Sequence, residues 1–277
     1  MKRPELLETW PDSWKRSYSY DLQEVYGEVS TFGYAYSYAN RRKQTLRLVT
    51  EALEPGTRIL DIAGAQGNFS IALAEMGYEV TWNDLREELA GYVRQKHDNG
   101  NLHFAPGNAF ELDFPTLFDA VVITEVIEHV AHPDDFLRKT AQLVKPGGYI
   151  IMTTPNGAYI ENKLPRFSDC PDPSIYENVQ FGPDADDHVF LLYADEVRRF
   201  AIDAGLEVEE IAFFSNSLTC GLMKMEHLLR ILPRSVVDAI EGATGLLPNV
   251  LSQRLLFQIG ARFRLPSDAV VSSSSNV

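Results

Sequence analysis

The stretch Ile59-Leu60-Asp61-Ile62-Ala63-Gly64-Ala65-Gln66-Gly67-Asn68-Phe69 decides the fold. Its first four residues suit a buried strand, which runs into a turn of glycine and alanine. A helical pattern follows over 69–76 and closes at Gly77. A loop of such small residues lets a ligand approach the backbone, and the helix start behind it offers unpaired N–H groups. Several kinds of nucleotide-binding sheet use a loop like this, so its neighbours must narrow the reading.

Working outward, the same rhythm repeats. Apolar runs at 57–62, 78–82, 102–105, 119–124 and 149–154 predict strands, and 85–97 and 133–144 predict helices between them. Upstream, Leu46, Val49 and Leu53 form a helical stripe over 41–54 that Pro55-Gly56 stops. Strands alternating with helices of this length predict an α/β fold with a doubly wound, mostly parallel sheet covered on both faces. Beyond Pro155-Asn156 the rhythm breaks into a loop rich in Pro, Asp and Asn over 156–190. A helix at 194–204 and two last strands at 207–214 and 255–263 bring the sheet to seven strands. We divide the chain into an aromatic N-terminal cap (1–40), a main domain (41–266) and a tail (267–277) expected to be disordered. Within the main domain, 215–252 is an apolar, mostly helical insertion carrying Leu222, Met223, Met225, Leu228 and Leu229. Its flexible apolar surface suits a substrate lid, a dimer face or a membrane-surface helix, and we take the lid as the expectation. Tyr34, Tyr36, Phe213 and Phe214 suit either a water-excluding cover or plain core.

Bulk composition removes several classes. At 277 residues, 45% hydrophobic, the chain suits one large domain. The first thirty residues hold no apolar signal core, and no run approaches the roughly eighteen apolar residues of a membrane helix. Cys170 and Cys220 make neither a disulfide framework nor a CxxC metal signature. The cytoplasm is therefore the expected compartment. Net charge is −14, and segments 51–160 and 161–210 each carry −9. Nucleic-acid binders usually show a basic footprint, so the charge weighs against a polynucleotide partner and toward a small-molecule one.

The second strand ends in Asn83-Asp84, where a carboxylate can accept both hydroxyls of an adenosine ribose; as a helix N-cap Asp84 has an ordinary role too. Pro106-Gly107-Asn108-Ala109-Phe110 follows the third strand, where an adenine edge would lie. Leu143-Val144-Lys145-Pro146-Gly147-Gly148 precedes the fifth. In this order and spacing the chain resembles the class I S-adenosylmethionine-dependent methyltransferases, over roughly residues 41–214 plus the last strand. That family has glycine where this chain has Ala63 and Ala65, and aspartate where it has Asn108. The resemblance implies S-adenosylmethionine as cofactor, held by Asp61, Gly64, Gly67, Asp84, Asn108, Ala109 and Glu125. A nicotinamide-dependent oxidoreductase shares the strand-loop-helix, but the turn lacks GxGxxG. A catalytically silent cofactor-binding scaffold is the other alternative.

Directly after the fourth strand stands Glu125-Val126-Ile127-Glu128-His129, and His188 follows later in Asp186-Asp187-His188. A helix starting at Glu125 would put Glu125, Glu128 and His129 on one face. The set resembles that of small-RNA 3′-terminal 2′-O-methyltransferases and of ubiquinone-biosynthesis O-methyltransferases. In the former it implies a divalent-metal site, Mg²⁺ or Mn²⁺, on Glu125, Glu128, His129 and His188. A metal-free base at His129 or His188, with Glu125 assisting, is the competing reading. His132 is read as surface. Both readings suit removal of a hydroxyl proton, so the expectation is O-methylation of a small or amphipathic acceptor such as a sugar, a phenolic or quinone-like molecule, or a secondary metabolite. An RNA 2′-hydroxyl is the alternative acceptor. A homodimer is compatible with the apolar insertion.

Overall fold

The structure, a computed structural model, describes residues 1–180, 188–220 and 225–268. Seven strands form one sheet: β1 (Arg58–Ile62), β2 (Glu79–Trp82), β3 (Asn101–Phe104), β4 (Phe118–Thr124), β5 (Val144–Pro155), β6 (Glu207–Asn216) and β7 (Leu256–Arg264). Their order is β3-β2-β1-β4-β5-β7-β6. β7 alone runs antiparallel to its neighbours, pairing Ile151 with Arg262 and Ile211 with Ala261. Consecutive side chains of a strand point to opposite faces, and here both faces are buried. Ile59, Val80, Val122 and Ile151 pack with Leu48, Val49 and Leu73 on one side. Leu60, Val121, Ile123, Ile150 and Met152 pack with Phe136, Leu137, Val197 and Phe200 on the other.

Helices α1 (Asp12–Glu24), α2 (Phe32–Thr50), α3 (Asn68–Glu75), α4 (Leu89–Lys96), α5 (Pro133–Ala141) and α6 (Ala194–Asp203) surround the sheet. Two of them differ from the sequence reading. α2 begins at Phe32, so it crosses the boundary placed at residue 40, and Tyr34, Tyr36 and Tyr38 lie on a helix continuous with the main domain. Its N-terminus is held from far along the chain: the Glu226 carboxylate accepts from the backbone N–H groups of Phe32 (2.8 Å) and Gly33 (3.0 Å). α4 begins at Leu89 rather than residue 85, because the Asp84 carboxylate accepts from Arg86 N at 2.9 Å and keeps those residues in a turn.

The insertion forms α7 (Glu226–Leu229), α8 (Arg234–Thr244) and α9 (Asn249–Leu255). It joins the C-terminal end of β6 to the N-terminal start of β7, which places it on the edge where the parallel strands end. Leu229 and Val237 pack on Tyr36 of α2. Residues 221–224 of the insertion and 269–277 of the tail fall outside the described residues, so the tail expectation is addressed only at 267–268. Among the described residues no helix is long and apolar enough to cross a membrane.

Candidate active site

The loop between β1 and α3 is held open by left-handed backbone. Ala63 (φ 56°), Ala65 (φ 45°) and Gly67 (φ 75°) all adopt it. Gly64 N donates to Asn83 O (2.8 Å), Ala65 N to an Asp84 carboxylate oxygen (2.9 Å), and Trp82 Nε1 to Ala65 O (3.1 Å). A Cβ on Gly64 would lie 2.7 Å from the Trp82 ring, and one on Gly67 2.5 Å from Val93 Cγ1. Left-handed conformation costs an alanine roughly 1–2 kcal/mol, part of which glycine gives back as lost chain entropy. Ala63→Gly and Ala65→Gly should therefore each stabilise the protein by about 0.5–1 kcal/mol. Thermal melting should show a rise of roughly 1–4 °C per substitution, and a fall in Tm would contradict the strain.

Asp61 lies beneath the loop, buried, with one carboxylate oxygen accepting from the Ser70 hydroxyl and Oδ1 without a partner among the described residues. Burial pushes its carboxyl up to about 7; the charge of Asp84 adds to this and the Ser70 hydrogen bond opposes it. Asp84 is also buried. Besides Ala65 N and Arg86 N, it meets the Arg86 guanidinium at 3.1 Å. Asn83 Nδ2 spans to the carbonyls of Ala105 (2.6 Å) and Gly107 (2.9 Å), tying the ends of β2 and β3 together. Asn108 Oδ1 accepts from Phe110 N (3.1 Å), its amide donates to Glu111 (2.7 Å), and Ala109 is buried beside it. An orphaned acidic oxygen beneath a loop of left-handed backbone and an acid at the end of β2 together fit an adenosyl cofactor carrying an ammonium group.

The second half of the site sits where β4 ends. Glu125 takes left-handed backbone (φ 54°), and a three-residue 3₁₀ turn, Ile127–His129, replaces the expected helix start. The predicted single face of Glu125, Glu128 and His129 therefore does not form. Glu125 instead meets Arg41 Nη1 at 3.2 Å and Gln258 Nε2 at 3.3 Å, and its Oε1 has no partner among the described residues. Glu128, His129 and His188 do come together: one ligand atom from each lies within 4.8 Å of the others. The imidazole rings of His129 and His188 meet edge to face, 4.9 Å apart. Backbone hydrogen bonds account for this closure across nearly sixty residues, since Val189 N donates to Glu128 O at 2.8 Å. Glu128 is fully buried, with Thr154 Oγ1 donating to Oε2 at 3.0 Å and Oε1 unpartnered. Burial, reinforced by the charge of Glu125, raises its carboxyl well above the usual carboxylate range. A cation beside it would restore the ionised form. The predicted four-ligand set thus converges as three. His132 is at the surface, 2.8 Å from Glu177.

Two participants were not read from the sequence. Arg41 is a half-buried cation whose Nε has no partner among the described residues and whose guanidinium lies over the Tyr38 ring at 5.4 Å. Gln258 links Glu125 to the Ser215 hydroxyl, which donates to it at 3.0 Å. The helical stripe at 41–54 draws the eye to its apolar residues, whereas Arg41 stands one and two turns before the buried Thr45 and Leu48 on the same helix.

Comparison with known proteins agrees with this geometry. A family model described as "Methyltransferase domain" matches residues 35–211. A ubiquinone biosynthesis O-methyltransferase of Aromatoleum aromaticum is 31% identical over 169 residues, covering 59% of this chain and 70% of that protein. Among solved structures, an S-adenosylmethionine-dependent methyltransferase from Mesorhizobium loti superposes with a TM-score of 0.54 at 16% identity, covering 80% of this chain and 96% of that one. Magnesium protoporphyrin IX methyltransferase from Synechocystis PCC 6803, solved with bound S-adenosylhomocysteine, gives 0.51 at 14% identity, covering 91% and 93%. The family model covers more than half of the chain and the sheet has the fold of these structures; the chain belongs to the class I S-adenosylmethionine-dependent methyltransferases.

Proposed function

We propose that this enzyme transfers the methyl group to a hydroxyl of a small phenolic or quinone-like acceptor. The observation that carries the reading is the convergence of Glu128, His129 and His188 at the end of β4, on the edge where the cofactor loop also opens. The name of the Aromatoleum aromaticum relative supports the acceptor class. In use, the cofactor supplies an electrophilic methyl group on a sulfonium. Asp61, Asp84 and the backbone of 63–67 hold its ammonium and ribose ends, and Asn108 and Ala109 flank the adenine. Arg41 takes its carboxylate. Holding acceptor oxygen and methyl in line supplies much of the acceleration. The remaining task is to remove the hydroxyl proton, which falls to His129 and His188 either as bases or as ligands of an activating cation.

Glu128, His129 and His188 would hold a divalent cation, which lowers the pKa of a bound hydroxyl. One carboxylate and two imidazoles favour Mn²⁺ over Mg²⁺, since Mg²⁺ prefers oxygen ligands. The insertion and the N-terminal half of α2 cover the same edge and serve as its lid. Incubation with S-adenosylmethionine and a panel of catechols, hydroquinones, sugars and amines should yield S-adenosylhomocysteine by mass spectrometry with the phenolic members. Turnover of amines alone would overturn the acceptor assignment.

The raised carboxyl of Asp61 gives a pH test of the cofactor contact. A group lifted from 3.8 to about 7 holds its proton in the fold at pH values where the unfolded chain has lost it. Stability from this source is full below about pH 4 and is lost as pH rises through 7. Binding an ammonium beside Asp61 favours the carboxylate, so S-adenosylhomocysteine binding near pH 6 should release a proton. Calorimetry in buffers of different ionisation enthalpy reads this directly; proton uptake, or none, would place the ammonium elsewhere.

A further inference from the structure

The N-terminal helix α1 carries a buried ionic cluster that none of the chemistry above uses. Lys96, at the end of α4, and Asp21, on α1, are both completely buried and lie 2.5 Å apart. The remaining two ammonium protons of Lys96 go to Gln66 O (2.8 Å) and Asn68 Oδ1 (2.5 Å). Asp21 also accepts from Tyr92 OH (2.6 Å) and Asn68 Nδ2 (2.8 Å). One turn on, Glu24 accepts from Gln66 Nε2 (3.0 Å), Asn68 Nδ2 (2.9 Å) and the Tyr34 hydroxyl. Both residues flanking left-handed Gly67 in the cofactor loop are thus held by side chains of α1 and α4. Burying an unpaired charge costs several kcal/mol, so the cluster forms only when α1 is docked. That docking is close: Trp14 of α1 donates to Glu88 O at 2.8 Å, and a Cβ on Gly91 would lie 2.4 Å from its ring.

We infer that α1 is a positioning element of the cofactor site, with Asp21, Glu24 and Lys96 setting the conformation of Gln66, Gly67 and Asn68 so that the α3 N-terminus faces the cofactor. Within the N-terminal cap (1–40), α1 thus works from behind the loop, apart from the aromatic residues of α2. Because coupling between two sites is reciprocal, cofactor binding must in turn stabilise the docked α1. The inference rests on S-adenosylmethionine as cofactor. S-adenosylhomocysteine is the probe, and its failure to bind the wild-type protein would count against the cofactor contacts rather than against this coupling.

Amide hydrogen exchange of the full-length protein should slow across 12–24 at least threefold on adding saturating S-adenosylhomocysteine. Lys96→Met should raise its Kd tenfold or more and abolish that slowing. Gly91→Ala pushes α1 away without altering any loop residue, and should raise Kd about threefold or more. A merely structural cluster would lower Tm in both variants and leave Kd unchanged. Binding within twofold of wild type in Gly91→Ala, or exchange in α1 indifferent to ligand in the wild-type protein, overturns the inference even if Lys96→Met fails to fold.

Discussion

His129→Ala should lower methyl transfer to a hydroxyl acceptor by about 10²–10⁴-fold, the range expected for loss of a positioned proton acceptor or of the group that activates the hydroxyl. The cofactor contacts proposed above lie in the loops after β1, β2 and β3 and at Arg41 of α2, away from His129, so S-adenosylhomocysteine affinity should change less than threefold in the same variant. Equal loss of both would mean that His129 shapes the cofactor pocket instead. Excess EDTA separates the two ways in which the imidazoles can act. With a cation on Glu128, His129 and His188, the wild-type rate falls with chelation and Mn²⁺ restores it. With a metal-free base, the chelated enzyme keeps its rate and elemental analysis finds no bound metal.

The second large effect is expected at Gly67. An alanine there meets Val93 Cγ1 at 2.5 Å and must also hold φ 75°. Overpacking costs about 1–3 kcal/mol and the left-handed backbone roughly 1–2 more, for a protein whose total stability is about 5–15 kcal/mol. Gly67→Ala should therefore lower Tm by roughly 5–15 °C. The loop can relieve the contact only by moving the N-terminus of α3, so S-adenosylhomocysteine binding should weaken tenfold or more. A variant that binds normally would show that Val93 yields and the loop does not.

The fold around the candidate cofactor loop was readable because its signals are local. Strand, loop and helix are consecutive between residues 58 and 75, and β1 and α3 begin within a residue of the places that the apolar pattern indicates. The acid ending β2 and the Gly-Asn-Ala after β3 stand at strand ends that the same pattern locates. For the candidate residues after β4 the sequence pointed to the residue types that converge, but not to their geometry. Helical spacing groups Glu125 with Glu128 and His129, yet one left-handed residue turns Glu125 toward Arg41, and no rule of spacing foretells it. Long-range partners were out of reach for a related reason. Nothing near Lys96 shows that it pairs with Asp21, and nothing near Phe32 shows that Glu226 caps its helix. Without those partners, a segment as rich in tyrosine and serine as 30–40 has little helical preference of its own.

That cap joins residues nearly two hundred positions apart, which has a consequence for how the enzyme comes off the ribosome. Translation proceeds at about 5–20 residues per second, so Glu226 emerges some 10–40 s after Phe32. Throughout that interval the start of α2 lacks its acceptor, and Tyr36 lacks Leu229 and Val237. The lower half of α2 can meanwhile settle against the growing sheet through Leu48 and Val49. The helix is thus completed from its C-terminal end backwards.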